Sequence, residues 1–338
     1  MQRELGMFLL IFIYSALSYG QGLHFSQYQN SPLLLNPANT ALMPDDDFRA
    51  GMTYRSQWEQ VPAPFKTFAA FTDYKVLKNE EETNWMGLGA AFYNDKAGNG
   101  DLSLTKVQLN VAYHMSLSMS SMLSFGMGIA YVQRSVDFNK LTYDVQWDGF
   151  KFDKNQPHQE NYSFQKTSYP DIAAGLNYAL FPNDNFYMKL GLGMEHINRP
   201  KESFYKQDNR IAFRPTADLN MVFRLNDRWI GDISAYYTTQ RSSYEAIVGG
   251  KISSNVAADF GEPTILNFGC YYRLNDAIIP AIGLEWYRVA VWMATDITMG
   301  GMSKATNGWG ALEISILYKG LYEKSKGKDR SGFGCPRF

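Results

Sequence analysis

The sequence predicts an all-β protein: a transmembrane outer-membrane β-barrel of about fourteen antiparallel strands, with an N-terminal segment packed in the lumen. Three observations predict it. The chain opens with an export leader. It then alternates apolar and non-apolar residues with period two through segment after segment. The non-apolar face of those segments is small and sparsely charged, unlike the Lys-, Glu- and Thr-rich face that a soluble sheet turns to water.

The leader is assigned to residues 1–20. Arg3 supplies the positive start, Met7 to Leu17 is a short apolar run, and Ser18-Tyr19-Gly20 provides the peptidase signature, so cleavage is expected before Gln21. That run falls short of the roughly 20 apolar residues of a spanning helix. No later stretch approaches that length, which excludes a helical multi-span protein.

Residues 21–44 follow as a non-regular plug. Leu33, Leu34 and Leu35 call for burial, yet Pro32 and Pro37 deny the segment a regular helix or a central strand, and Asn36-Pro37 initiates a turn. A barrel of about fourteen strands has a lumen too wide for its own side chains to fill, and irregular backbone is tolerated there because it is shielded from lipid. The segment is therefore expected inside or under the barrel. Asn36-Pro37-Ala38 is either a simple turn or a specific binding element. Asp45-Asp46-Asp47 reads as a solvated lead-in to the first strand.

The barrel is expected over 45–319. Phe48, Ala50, Met52, Tyr54 and Trp58 share one face of the first segment, against Arg49, Gly51, Thr53, Arg55 and Gln57. Val107, Leu109, Val111, Tyr113 and Met115 oppose Lys106, Gln108, Asn110, Ala112 and His114 in the same way. Strands are expected to begin near Phe48, Lys66, Trp85, Ser103, Met122, Asp171, Phe186, Ile211, Trp229, Tyr244, Thr264, Ile278, Val289 and Trp309. Their apolar faces should meet lipid. The inward charges, Arg49, Arg55, Lys189, Glu195, Arg214, Asp218, Asp232, Glu285, Asp296 and Glu313, should pair, opposite sign with opposite sign, within the lumen.

Tight connections such as Phe181-Pro182-Asn183-Asp184 partly alternate with long ones, Arg134 to Ser168 and Ile197 to Asn209, as periplasmic turns alternate with outer loops. Arg224-Leu225-Asn226-Asp227 and Arg273-Leu274-Asn275-Asp276 look like the same kind of turn, although the strand count puts them at opposite ends. The aromatic share of 15% includes Trp58, Trp85, Trp229, Trp286 and Trp309 near segment ends, where interfacial girdles belong. Residues 320–338 are expected as a periplasmic tail.

A formal net charge of -1 gives no broad attraction to nucleic acid or anionic lipid. His24, His114, His158 and His196 show no ligand spacing, Cys270 falls on the lipid-facing register, and Cys335 lies far from it in sequence, so neither a metal nor a cofactor is expected. Asp95, Asn99 and Asp101 match a calcium loop only loosely, and Gly98 and Gly100 say hairpin. His114 faces inward by register, poorly placed for the lipid-facing Ser-His site of a barrel-embedded lipase, and serines are too plentiful to mark a nucleophile, so no enzyme is expected.

"FSQYQNSPLLLNPANTA" followed by "YRSQW" resembles the start of the PorP/SprF family of type IX secretion system outer-membrane proteins of the Bacteroidota. The matching positions are Phe25, Ser26, Gln27, Tyr28, Asn36, Pro37, Ala38, Tyr54, Arg55, Gln57 and Trp58. Asp95 and Gly98 in "YNDKAGNG" match the family's hairpin, and Cys335, Pro336, Arg337 and Phe338 match its ending. The resemblance implies an accessory barrel for export or surface anchoring of large adhesin-like cargo through a C-terminal signal domain, in some members serving gliding motility. Other secretion or gliding components would then be partners at the periplasmic face, and outer-membrane lipid would surround the wall.

The alternative is a transporter of hydrophobic small molecules like the FadL family, which shares fourteen strands and an Asn-Pro-Ala in an N-terminal hatch. Here the segment before the first strand is short and lacks the Gly/Ala/Ser-rich hatch sequence.

Overall fold

Alternation needs a surface on each side of the sheet, and the chain supplies both by closing the sheet on itself. The computed structural model describes residues 25–322, apart from 44, 81–82, 99, 154–155, 158–164, 205–207 and 257–263. Fourteen strands form a closed antiparallel barrel in which each strand pairs with its sequence neighbours and the last pairs with the first. They are β1 (Phe48–Gln57), β2 (Phe65–Val76), β3 (Trp85–Ala97), β4 (Leu102–Ser118), β5 (Ser121–Ser135), β6 (Lys166–Asn183) and β7 (Phe186–Glu195), then β8 (Arg214–Arg224), β9 (Trp229–Gln240), β10 (Ser243–Asn255), β11 (Thr264–Arg273), β12 (Ala277–Trp286), β13 (Val289–Thr298) and β14 (Trp309–Gly320). Closure leaves no sheet edge along the paired wall, the condition that burial in hydrocarbon imposes on strands.

The two faces fall where the alternation puts them. Met127 and Ile129 on β5 are 60% and 62% exposed and point outward, whereas Gln108 on β4 is 1% exposed and points into the lumen. An outward row of Val, Leu, Ile, Met and aromatic residues around a closed wall is the surface of a membrane β-barrel. Among the described residues no helix is long and apolar enough to cross a membrane. Spanning is done by strands.

Twelve of the fourteen expected strand starts lie within one residue of those observed. The exceptions are β6, which begins at Lys166 instead of near Asp171, and β8, which begins at Arg214 instead of near Ile211. Pro170 hid the start of β6, since proline argues against a central strand. It is tolerated because β7 stops at Glu195 and its ladder with β6 runs only as far as Ala174 opposite Met194, so the upper part of β6 pairs with β5 alone.

Both termini of the barrel sit at one rim, joined there by turns that include 119–120, 184–185 and 287–288, while the opposite rim carries the connections 136–165, 196–213 and 299–308. We call these the terminus rim and the loop rim. The turns 225–228 and 274–276 do stand at opposite rims, because three strands separate them.

Two sequence expectations need correction. Asp47 is not solvated: it is fully buried, its N–H donates to Gly320 O at 2.8 Å, its carbonyl accepts from Lys75 N at 2.8 Å, and its carboxylate takes Tyr322 N–H at 2.9 Å and the Lys78 ammonium. It ties β14, β2 and the residues after β14 together at the terminus rim. Trp85 is not part of a girdle either. It lies on the inward register with Gly87 and Gly89, is 3% exposed, and donates Nε1–H to Ala41 O at 2.9 Å. Trp229, Trp286 and Trp309 do lie exposed near strand ends, and Trp58 sits in the turn after β1 with φ +57°, edge-on to Phe65.

Candidate functional site

The lumen is filled by the chain's own N-terminal residues. Phe25 starts in its loop-rim half, edge-on to Tyr93 of β3 with ring centroids 6.1 Å apart. From there the segment turns through a 3-10 turn (Tyr28–Asn30), one turn of α-helix (Pro32–Leu35) and a second 3-10 turn (Pro37–Asn39), then passes Trp85 and leaves at the terminus rim into β1. The two prolines that exclude a long helix each sit at the first position of a short one, where their missing N–H costs nothing.

Three groups of contacts hold this plug. The first is electrostatic. Glu313 on β14 is fully buried and accepts the Ser26 and Gln27 backbone N–H groups, each at 2.8 Å, on its two oxygens. Ser26 Oγ donates to Asp296 Oδ1 at 2.5 Å and accepts from the Arg55 and Arg273 guanidinium groups. Arg55 pairs with Asp296 at 2.9 Å and Glu313 at 3.4 Å, and Arg273 pairs with Asp296 at 2.7 Å and Glu245 at 3.2 Å. Charges removed from water are costly unless paired and hydrogen-bonded, and here the pairing closes around one serine of the plug.

The second group is apolar. Leu33 and Leu34 pack with Phe25, Phe71, Tyr93 and Trp292, while Tyr28 stacks on Tyr236 of β9 at 4.8 Å and joins Leu35, Ile247, Tyr271 and Ile279. Burial pushes the Tyr28 phenol well above its ordinary range, so the ring stays neutral.

The third group fixes backbone to wall. Asn36 is fully buried; its Oδ1 caps the turn by accepting Ala38 N–H at 2.9 Å, and its Nδ2 donates to Asn177 Oδ1 at 3.0 Å and Leu192 O at 3.2 Å. One amide thus both makes the Asn36-Pro37-Ala38 turn and fastens it to β6 and β7. Asn39 Oδ1 accepts from Asn177 and Lys189, and Thr40 O takes His114 Nε2 at 2.7 Å. The wall approaches very closely. A Cβ on Gly126 would lie 2.3 Å from Ala38 N, and one on Gly175 would lie 1.7 Å from Asn36 Oδ1, so only glycine lets plug and strand meet there.

Of the residues singled out from the sequence, Phe25, Gln27, Tyr28, Asn36, Pro37 and Arg55 come together around the plug. Gln57 ends β1 opposite Phe65 and Ala311, and Trp58 follows it at the loop rim. Asp95 lines a cavity at that rim and accepts from Thr67 at 2.6 Å, while Gly98 makes the β3–β4 turn with φ +66°. Cys335, Pro336, Arg337 and Phe338, like the leader 1–20 and its cleavage point, lie outside the described residues. Arg273, Glu245 and Asp73, which accepts the Ala41 N–H at 2.8 Å and pairs with Arg49 at 2.6 Å, were not singled out. Carrying the inward register of Asn267, Gly269 and Tyr271 through to the turn would have found Arg273.

The plug leaves a cavity on either side. The larger, about 420 Å³, opens at the loop rim; the other, about 320 Å³, opens at the terminus rim between Arg49, Lys189, Asp232 and Trp292.

A family model described as type IX secretion system membrane protein PorP/SprF matches residues 17–318. The chain belongs to the PorP/SprF family. No curated relative matches it. Among solved structures, a FadL homologue of Pseudomonas aeruginosa matches this PorP/SprF chain with a TM-score of 0.51 at 11% identity, covering 86% of this chain and 94% of that one. The toluene transporter TodX of P. putida matches with a TM-score of 0.50 at 10% identity over 87% and 94%. At such identity the likeness is one of fold: this PorP/SprF barrel shares its architecture with transport barrels. Family and fold are those of a secretion or transport barrel, not of an enzyme.

Proposed function

We propose that this PorP/SprF protein is an outer-membrane accessory of type IX secretion that works as a sealed docking platform and not as a conduit. Family membership supports the system. The plug supports the mode: its first residues are gripped by the Arg55, Arg273, Asp296 and Glu313 cluster, and its middle is seated against glycines that leave no clearance. A large cargo chain has no path through such a lumen without breaking buried ion pairs, which costs several kcal/mol for each pair broken.

In this reading the leader is cleaved before Gln21 and the terminus rim faces the periplasm, where secretion or gliding components meet the turns and the tail after β14. The loop rim faces outward, and its long connections 136–165 and 196–213 receive the C-terminal signal domain of a large adhesin-like cargo for secretion or surface anchoring. Residues 21–44 act as the plug throughout, with Phe25, Gln27, Tyr28, Asn36, Pro37 and Arg55 as its seat.

Deleting the gene and quantifying the secreted and surface-attached proteome tests this. Loss of a small set of proteins that carry the C-terminal signal domain supports the platform. An unchanged set, with impaired uptake of fatty acids or aromatic hydrocarbons, would support a FadL-like transporter instead, the reading that the shared barrel architecture favours.

A further inference from the structure

We propose that the outer wall of β2 to β6 holds the phosphorylated sugar headgroup of an outer-leaflet glycolipid. With the loop rim outward, as in the secretion reading on which this rests, that stretch of wall meets the outer leaflet.

Charge is almost absent from the lipid side of the barrel. Every arginine, aspartate and glutamate of the fourteen strands lies on the inward register, as do five of the eight strand lysines. The other three, Lys66, Lys96 and Lys166, are exposed on the lipid side. They are not scattered. Lys66 lies directly opposite Lys96, Lys96 opposite Ser103, Ser103 opposite Ser135, and Ser135 opposite Lys166, so one cross-strand row at the loop rim carries all the charge of the outward strand positions. The formal net charge of -1 gives no sign of it.

Such a row calls for an anion. Like charges directly opposite on neighbouring strands repel, and among the described residues none of the three ammonium groups has a hydrogen-bond or ion-pair partner. Carboxylates near the row are engaged elsewhere: Asp101, whose field reaches Lys96, takes the Lys140 ammonium, and Glu59 accepts Ser56 Oγ at 2.6 Å. A phosphate between Lys66 and Lys96 replaces their repulsion by two charge-assisted hydrogen bonds. Lys166, three strands from Lys96 and roughly 14 Å away, offers a place for a second phosphate.

Height on the wall selects the kind of lipid. On β3, β4 and β5 the apolar band ends in the row Phe92, Val107 and Tyr131, and the next outward row is Asn94, Thr105 and Gln133, polar and uncharged. The lysine row stands one step higher. Two outward steps are about 14 Å along a strand and roughly 10 Å along the membrane normal at a tilt of about 45°. A phospholipid headgroup layer is only about 5–8 Å deep. A glycolipid whose phosphates sit on its sugars, beyond the acyl chains, reaches the lysines and lays those sugars against the amide and hydroxyl row.

Native mass spectrometry of the purified full-length barrel in detergent tests this, with a disaccharide lipid bearing two phosphates, the same lipid after enzymatic removal of its phosphates, and phosphatidylglycerol as probes. The phosphorylated disaccharide lipid should bind about tenfold or more tighter than either of the others. Lys66→Gln, Lys96→Gln and Lys166→Gln together should weaken it by roughly a hundredfold, about fivefold for each cation removed. Lys201→Gln, at an exposed loop-rim lysine outside the row, should bind as wild type, and every variant should keep its heat-modifiable mobility because the replaced side chains are exposed. No binding, equal binding of the dephosphorylated lipid or of phosphatidylglycerol, or undiminished binding by the triple variant would overturn the proposal. Only barrel and lipid are present, so such a failure leaves the secretion reading standing, and an unchanged secreted proteome would leave the lipid row standing.

Discussion

Replacing Glu313 by alanine should unlatch the first residues of the plug while leaving the wall intact. Glu313 accepts the Ser26 and Gln27 amides at 2.8 Å each and pairs with Arg55 at 3.4 Å, all out of contact with water. Hydrogen bonds to a charged group contribute about 1.5–3 kcal/mol each. Truncating one member of a buried ion-paired cluster costs about 3–5 kcal/mol, because its partners stay buried. Asp296 continues to neutralise Arg55 at 2.9 Å, which places the expected cost near the lower end. About 3 kcal/mol is roughly a hundredfold change in the closed-to-open ratio of the latch. Hydrogen exchange read at the amides of Ser26 and Gln27 should therefore speed up by about that factor, while amides in the β13–β14 ladder keep wild-type rates. Unchanged exchange at those two amides would refute the claim that Glu313 carries the latch. Equal acceleration through the ladder would show that the residue supports the wall instead.

Three further outcomes follow from the same geometry. Gly175→Leu and Gly126→Val should each be destabilised by about 1–3 kcal/mol or more through overpacking against Asn36 and Ala38, read as a lower midpoint in heat-modifiable gel mobility; wild-type midpoints would mean that the plug does not press on the wall. In a Cys335→Ser background, Cys270 on the outward register should react with a lipid-soluble maleimide and resist a charged, membrane-impermeant one, and the reverse would invert the assignment of faces. At the loop rim, the hydrogen bond from Lys140 holds the Asp101 carboxyl below its ordinary value of 3.8, so this clip to the 136–165 connection is intact above that value and released as pH falls through the lower folded one. A carbon-detected titration of Asp101 with its midpoint at or above 3.8 would contradict it.

Period two was enough to read the strands and their faces, because each residue's side of the sheet is settled by its neighbours along the chain. The leucine-rich, proline-broken segment before Phe48 was readable as a filling for the same local reason. Partners across the lumen were not readable. Ser26 meets Asp296 and Glu313, more than 250 positions away, and nothing in the pattern of β13 or β14 says which inward charge faces the plug. The same limit explains the misreading of Asp47, whose run of three acidic residues looks solvated until Tyr322 and Lys78 close on it. Trp85 was misplaced because a tryptophan at a strand end suits a girdle equally well, and only the inward register of Gly87 and Gly89 points it at Ala41. Gly126 and Gly175 belong to the small inward face, and the space they leave is occupied by the chain itself.

The measurement that bears most directly on the sealed-platform account is secretion through cells whose plug has been stapled to the wall. A Cβ on residue 89 would lie 2.9 Å from Thr40 Cγ2, so Thr40→Cys and Gly89→Cys bring two thiols together for oxidation that joins plug and β3, with the Leu33 Cδ2 methyl, 2.7 Å from that Cβ, turning aside. Cargo release at the wild-type rate, with the cross-link shown to be complete, is the predicted result. Arrest of release on oxidation, restored by reduction, would mean that the plug must move for the protein to work and would contradict the account.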